Sequence, residues 1–417
     1  MRLSLLSVLC IIGFCLPSQA GNWPAWKGPA GNGVSDEKDP PVSWSKTENI
    51  VWKAPLPGGG NSTPIVWDDR VFVTCAKEHG RVRSLLCFDR SNGKLLWSGD
   101  TEFGGQEPTH GENPYCAASP ITDGKTVFAS FGSAGVVAYD FSGKQLWKHD
   151  LGALTHIWGN SGSPIFYKQS LILNCGPGLR CFLIALDKET GKEIWKHDLP
   201  DAVAATAGEF KGSWSSPVLF DNQGTPQVIV DLPGYVAAFD PETGKEIWRC
   251  KGLSSLAYAQ PLVSKDIIVA MSGYGGPTIG LRTPTPTQHG DITGSNRLWV
   301  NAKNPQRIGA GVLIGDRVYL INTPGIAECL MAATGKTVWK KRASGEAWSS
   351  TLLVDGKLFT TDRSGETVVW APGDKLEVLH QNAIGEKTQA SLVFSDGQVF
   401  ERTFENLYCI GKRKGKD

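Results

Sequence analysis

Four near-copies of one phrase run through the chain: LLCFDRSNGKLLW ending at Trp97, VVAYDFSGKQLW at Trp147, LIALDKETGKEIW at Trp195 and VAAFDPETGKEIW at Trp248. Each reads as a strand, a tight turn and a second strand carrying a tryptophan. Repetition at intervals of about 40–50 residues is the signature of an array of like modules. A residue present in every copy serves to build the copy, so function is sought where the copies differ.

Signals for helix are almost absent. Short runs of Val, Ile, Leu and Phe alternate with turns of Gly, Pro, Asp and Asn, which predicts an all-β chain. The copies open on a short polar stretch, often followed by proline: Thr63-Pro64, Ser119-Pro120, Ser163-Pro164, Ser216-Pro217 and Gln260-Pro261. Weaker starts at Gly311-Val312, Ser350-Thr351 and Ser391-Leu392 bring the number to eight. In the third copy, strands are expected at 165–166, 170–174, 182–186 and 193–196. Four strands joined by short turns make an antiparallel meander, which cannot bury both faces alone. Eight meanders packed around an axis cover one another and leave only short edges, the β-propeller solution. The last copy runs through 405–410 and stops without a fourth strand, while residues 50–53 stand alone before the first copy. That early segment is expected to complete the last blade and close the ring. The fold class is therefore an eight-bladed β-propeller of four-stranded antiparallel blades, one domain over residues 48–411.

Residues 1–20 carry Arg2, a short apolar run from Leu3 to Leu16, and Ser18 and Ala20 ahead of Gly21, the pattern of a signal peptide. The apolar run is shorter than the roughly 20 residues a spanning helix needs, and no later run reaches that length. Export to the periplasm or medium, with no transmembrane segment, is expected. Residues 21–47 form an N-terminal extension and 412–417 a basic, solvated tail. The formal charge is +1, and loss of Arg2 brings the mature chain to zero, which argues against a nucleic-acid partner. An oxidising compartment permits disulfides. Cys175 and Cys181, flanking the turn 176–180, are the first candidate pair, and Cys75 with Cys87 the second. No Cys-x-x-Cys or Cys-x-x-Cys-His is present, so neither a zinc ribbon nor a covalent c-type haem is expected, and no metal site is assigned.

The repeated Asp89, Asp140, Asp187 and Asp240 precede their tryptophans by seven or eight residues, where a carboxylate can accept turn N–H groups. The glycine that follows suits a positive φ. Trp97, Trp147, Trp195 and Trp248 can each lie against the neighbouring copy, burying roughly 150–250 Å² for a gross ~4–6 kcal/mol. These residues build the repeat. The Ala-x-Asp-x-x-x-Gly-Lys-x-x-Trp phrase, plainest at 185–195 and 238–248, resembles the tryptophan-docking motif of the PQQ-like (quinoprotein alcohol dehydrogenase-like) family of eight-bladed propellers, BamB-type propellers included. The start Trp23-Pro24-x-Trp26-x-Gly28-Pro29 is similar to that of exported members. The resemblance covers nearly all of residues 50–411. It implies one of two functions. One is a dehydrogenase of an alcohol or sugar that uses pyrroloquinoline quinone (PQQ) with Ca2+. The other is a non-catalytic scaffold, such as the lipoprotein propeller that helps assemble outer-membrane β-barrels. The larger dehydrogenases stack the quinone on a ring of two adjacent cysteines, and no two cysteines are adjacent here.

Loops that precede the first strand of each copy are expected to surround the central funnel. They are aromatic and polar. His110 and Tyr115 come first, then His156, Trp158 and Asn160. Trp214, Tyr258, Gln260, Arg307, Trp348 and Gln389 follow in later copies. Trp214, Tyr258 and Trp348 each fall three residues before their strand start, which predicts equivalent places around the ring. Such a platform would hold a small polar ligand or dock a protein. The reading adopted is a binding or scaffold protein without a cofactor. On the dehydrogenase alternative, Asp231 or Glu401, which end second strands, would be the base, with Trp214 or Trp348 as the stacking platform. A proline-punctuated excursion between Leu281 and Leu298 offers a further candidate partner contact.

Overall fold

A computed structural model describes residues 21–206 and 208–412. The signal-peptide reading and the tail beyond Lys412 lie outside them. Eight four-stranded antiparallel blades stand around one axis. Blade 3 is representative: Ile165–Tyr167, Ser170–Cys175, Phe182–Asp187 and Glu193–Asp198 pair in chain order. Its second strand is buried throughout and its third is buried up to Leu186, because neighbouring blades cover both faces. That double cover is why these strands read as unbroken apolar runs. The fourth strand, at the outer edge, exposes most of its residues. No helix among the described residues is long and apolar enough to cross a membrane.

The ring closes between the two ends of the chain. Blade 8 takes Val393–Ser395, Gln398–Arg402 and Asn406–Gly411 from the C-terminal end, and Ile50–Pro55 adds its fourth strand antiparallel to the third. Trp52 lies opposite Cys409 and Lys53 opposite Tyr408. Glu386, in the loop between blades 7 and 8, fastens the seam, accepting from Lys53 Nζ at 2.7 Å and from the Tyr408 hydroxyl at 2.5 Å.

The repeated phrase is an inter-blade latch. Asp187 Oδ1 accepts the Thr190 N–H at 2.8 Å, holding the turn. The indole of one blade then donates Nε1–H to the turn carbonyl of the next: Trp52 to Arg90 (2.7 Å), Trp97 to Phe141 (3.0 Å), Trp147 to Lys188 (2.9 Å) and Trp195 to Pro241 (3.0 Å). Two degenerate copies keep the latch, Trp299 to Ala332 (2.8 Å) and Trp339 to Gly373 (2.9 Å). The motif glycine lies beneath the indole. A Cβ on Gly191 would stand 2.5 Å from the Trp147 ring, and its φ is +69°. Trp248 instead donates to Gln227 Oε1 at 3.0 Å, because blade 5 replaces its turn with the proline-rich excursion. Part of that excursion, Gly290–Asp291, pairs in parallel with the outer strand of blade 4, and Asn222 donates to Pro284 O at 2.9 Å. The excursion thus covers an edge of the neighbouring blade.

The cysteine expectation needs correcting. Cys75, Cys87, Cys175 and Cys181 are all free and buried. Cys175 lies opposite Phe182, so it and Cys181 occupy opposite faces of blade 3. Cys175 packs with Leu173 and Phe182, whereas Cys181 packs with Leu183, Ala185 and Trp195. Cys181 Sγ donates to Ala202 O at 3.4 Å. In blade 1, Cys75 faces Ser84 while Cys87 faces Phe72, which separates them along the hairpin.

The N-terminal extension plugs the channel. Trp23 exchanges backbone hydrogen bonds with Val66 of blade 1, and Pro24 O accepts Thr122 N–H of blade 2 at 2.9 Å. Lys27 Nζ reaches Gly311 O at the head of blade 6, 3.2 Å away. Val34–Ser35 pairs in parallel with Leu353 and Val354 of blade 7. Innermost strands have a free hydrogen-bonding edge toward the axis, and this segment satisfies part of it.

Candidate functional site

The polar residues that start the copies form a hydrogen-bonded girdle. Ser391 N–H donates to Thr63 Oγ1 (3.1 Å), Thr63 N–H to Ser119 Oγ (2.9 Å), Ser119 N–H to Ser163 Oγ (3.0 Å) and Ser163 N–H to Ser216 Oγ (2.9 Å). Farther round, Ala310 N–H donates to Ser350 Oγ (3.2 Å) and Ser350 N–H to Ser391 Oγ (3.0 Å). The girdle is interrupted where Gln260 and Ala310 hold the start position. Gln260 lies buried in that gap and donates Nε2–H to Pro217 O at 3.2 Å.

All six girdle hydroxyls line one cavity of about 510 Å³. Trp26, from the plug, also lines it, as do Trp158, Trp214, Tyr258 and Trp348 from the loops. Phe210 and Tyr274 extend the aromatic lining, and Ser161 with the amides of Asn61, Asn113, Gln306 and Gln389 completes its polar part. Among the described residues, no carboxylate, ammonium, guanidinium or imidazole lines this cavity.

The wall is braced from behind. Trp214 donates Nε1–H to Gly159 O at 3.0 Å and meets the Tyr258 ring edge-on at 5.1 Å. Trp158 stacks on His110 at 3.8 Å, and its carbonyl accepts from Asn113 Nδ2 at 2.6 Å. The Arg363 guanidinium lies 4.6 Å from the Trp348 ring centre and pairs with Glu346 at 2.9 Å and with Glu112. Gln389 joins this set by donating to Glu112 Oε2 at 3.1 Å.

Of the residues proposed from sequence, Trp158, Trp214, Tyr258, Trp348 and Gln389 stand on the cavity wall. The others do not. His110 is exposed outside it. His156 is buried, accepts Trp158 N–H through Nδ1 at 3.0 Å and faces Glu209 O through Nε2 at 3.1 Å. Burial holds its pKa below the usual histidine range. Tyr115 lies 4.5 Å over Arg83, and Asn160 donates to Glu107 Oε1 at 2.7 Å. Both serve the buried Arg83–Glu107 ion pair (2.6 Å) beside a second, much smaller cavity. Arg307 is likewise buried, paired with Glu328 at 2.6 Å and bonded to Thr278 of blade 5. A buried guanidinium needs a carboxylate, so this arginine braces two blades and is not offered to the funnel.

The alternative bases are also misplaced. Asp231 is fully buried, and its Oδ2 accepts Met271 N–H at 3.1 Å while Oδ1 has no hydrogen-bond partner. Burial raises its pKa well above the carboxylate range. Glu401 is buried with neither oxygen bonded. Burial, and then Glu386 and Asp362, push it up to about 8. Neither residue lines the cavity, and a general base must come within hydrogen-bond reach of its proton.

The lining can be tested against the quinone directly. PQQ is a flat tricarboxylate, and its calcium takes six to eight oxygen ligands. The aromatic wall could stack a flat ring. Three carboxylates would find no cation there, and no cluster of three or more His, Cys, Asp or Glu that could hold a metal exists among the described residues. The residues present do not fit the cofactor.

Sequence reasoning missed Trp26, Phe210, Tyr274 and the girdle. The serine-proline starts were its visible sign, although their repetition pointed to construction of the copy.

Comparison with known proteins places this architecture. Tetrathionate hydrolase of Acidithiobacillus ferrooxidans is 24% identical over 358 residues, which cover 76% of this chain and 66% of that enzyme. This chain thus spans just under two thirds of that relative. BamB from Moraxella catarrhalis superposes with a TM-score of 0.61 at 14% identity, over 88% of this chain and 99% of that one. Quinohemoprotein alcohol dehydrogenase from Comamonas testosteroni gives 0.70 at 15% identity, over 95% and 82%. Likeness at such identities speaks to the fold and not to the chemistry. A family model matches residues 34–171 and 182–279, more than half of the sequence. The chain belongs to the family that this model describes, outer membrane protein assembly factor BamB.

Proposed function

We propose that this protein is an exported binding propeller that holds a ligand or partner at its funnel face and performs no chemistry on it. One observation carries the reading: the wall of the 510 Å³ cavity is aromatic, hydroxyl and amide, without a carboxylate, ammonium, guanidinium or imidazole. Acid–base catalysis near neutral pH needs a group that titrates there, and burial pushes the Tyr258 hydroxyl up to about 12. Binding needs shape, apolar area and a few oriented polar groups. The apolar run and small-residue site in residues 1–20 support export.

The test uses the mature chain. PQQ and calcium are added, then an alcohol or a sugar with a redox dye, while tryptophan emission is followed. No dye reduction above the protein-free rate is expected, and tetrathionate tested alongside is expected to persist. Turnover of either kind that disappears in Trp214→Ala would overturn the proposal.

A further inference from the structure

We infer that the funnel cavity is a site for a short neutral oligosaccharide. This rests on the binding reading above and names its ligand class. Charge comes first. A carboxylated or sulfonated ligand would leave water for a cavity with no cation on its wall, which is unfavourable unless the charge is paired.

The hydroxyls come second. Each of the six girdle hydroxyls already accepts a backbone N–H, and no described residue accepts its own proton. A hydroxyl has one donor and two acceptor sites, so each keeps a proton to give. The backbone bonds hold these oxygens in a rigid arc, so a ligand rich in acceptors meets donors ordered beforehand. The lining amides of Asn113 and Gln306 add groups that both donate and accept, as sugar hydroxyls do.

The rings come third. Trp26, Trp158, Trp214, Tyr258 and Trp348 offer apolar surface around one space, and pyranose C–H faces stack on such surface. The indole N–H groups of Trp214 and Trp348 are engaged elsewhere, with Gly159 and Glu346. These two rings therefore act as platforms and not as donors. A cavity of this size lies within the roughly 300–1,000 Å³ of small-ligand sites. An extended peptide is the weaker occupant. It binds by adding to a free strand edge, and inner edges of blades 1, 2 and 7 are already taken by the plug.

The experiment presents the mature protein with an array of neutral di- to tetrasaccharides, followed by calorimetry and tryptophan emission on the hits. Tetrathionate, PQQ and an uncharged hexapeptide serve as competing arms. Saturable binding of at least one neutral saccharide in the micromolar to low millimolar range is expected, with a change in emission. Trp348→Ala should weaken it about tenfold or more, and Trp348→Phe should restore most of the loss. Ser163→Ala should weaken it several-fold. Leu146→Ser, on the exposed outer edge of blade 2, should bind as the parent does. Matching melting temperatures for the two Trp348 variants separate lost contact from lost fold. The inference is overturned if no saccharide binds at millimolar concentration, if Trp348→Ala binds unchanged, or if only an anion or the peptide saturates the site. Absence of saccharide binding without dye reduction removes the glycan alone, whereas dye reduction removes the binding reading itself.

Discussion

At Glu401 a carboxyl group is held where neither oxygen finds a partner, and its pKa rises from 4.5 to about 8. The folded state therefore binds this proton more tightly than the unfolded chain does. Its contribution to stability is complete below the unfolded value and is lost as pH climbs through the folded one. The protein should weaken between pH 4.5 and about 8 on this account. Glu401→Gln keeps the neutral shape, so it should flatten that slope and melt higher than the parent near pH 9. Melts of the two proteins that run parallel from acid to alkaline pH would refute the assignment. The latch glycine offers a second residue-scale test. Gly224 has φ +85° with nothing within 4 Å of a Cβ, whereas Gly191 has φ +69° with the Trp147 ring at 2.5 Å. Gly224→Ala should cost roughly 1–2 kcal/mol for backbone strain alone. Gly191→Ala should cost about 1–3 kcal/mol more, because the indole must move. Equal losses on urea unfolding would show that tryptophan docking is not what demands glycine there. These latch residues were legible in the sequence because a turn and a strand fix where each side chain points. Loop residues were not. His156 and Trp158 sit two apart in one loop, yet one is buried behind the wall and the other lines the cavity. Irregular backbone has no period from which to read that difference.

Among the elements, the strand Ile50–Pro55 was foreseen because its pattern matches a blade's fourth strand and the last copy lacks one. The plug was invisible for the opposite reason. Its partners lie far away in sequence, as Lys27 and Gly311 show, and they contact it through backbone groups that carry no residue signature. Deleting residues 21–36 should leave the blades and their latches intact. It should lower the melting temperature, keep unfolding cooperative and remove Trp26 from the cavity lining. The amides of Val66, Thr122 and Leu353 donate to Trp23, Pro24 and Gly33, so their hydrogen exchange should accelerate. Unchanged protection at those three amides would mean that the segment does not occupy the channel.

For the molecule as a whole, the question is whether eight blades behave as a chain of neighbours or as a ring. In an open array, stability is close to a sum of local terms, and loss at one end frays that end. Here the seam between blades 8 and 1 resembles the other seams. Trp52 latches onto Arg90 at 2.7 Å, its ring meets Phe400 at 6.0 Å, and Ser391 passes the girdle on to Thr63 at 3.1 Å. Removing residues 48–56 takes away the fourth strand of blade 8 and the Trp52 latch together, with the gross ~4–6 kcal/mol that one docked indole contributes. It also uncovers faces of blades 8 and 1 that no other element can shield. If closure governs the fold, protection in blade 4, across the ring, should fall along with that beside the seam. Exchange at Val228 and Val230, both buried in blade 4, reads this directly. Loss confined to blades 8 and 1, with Val228 and Val230 as slow as in the parent, would make the molecule an additive stack. The girdle would then owe nothing to circular closure. A parallel loss at both sites would mean that the cavity floor exists only while the ring is shut.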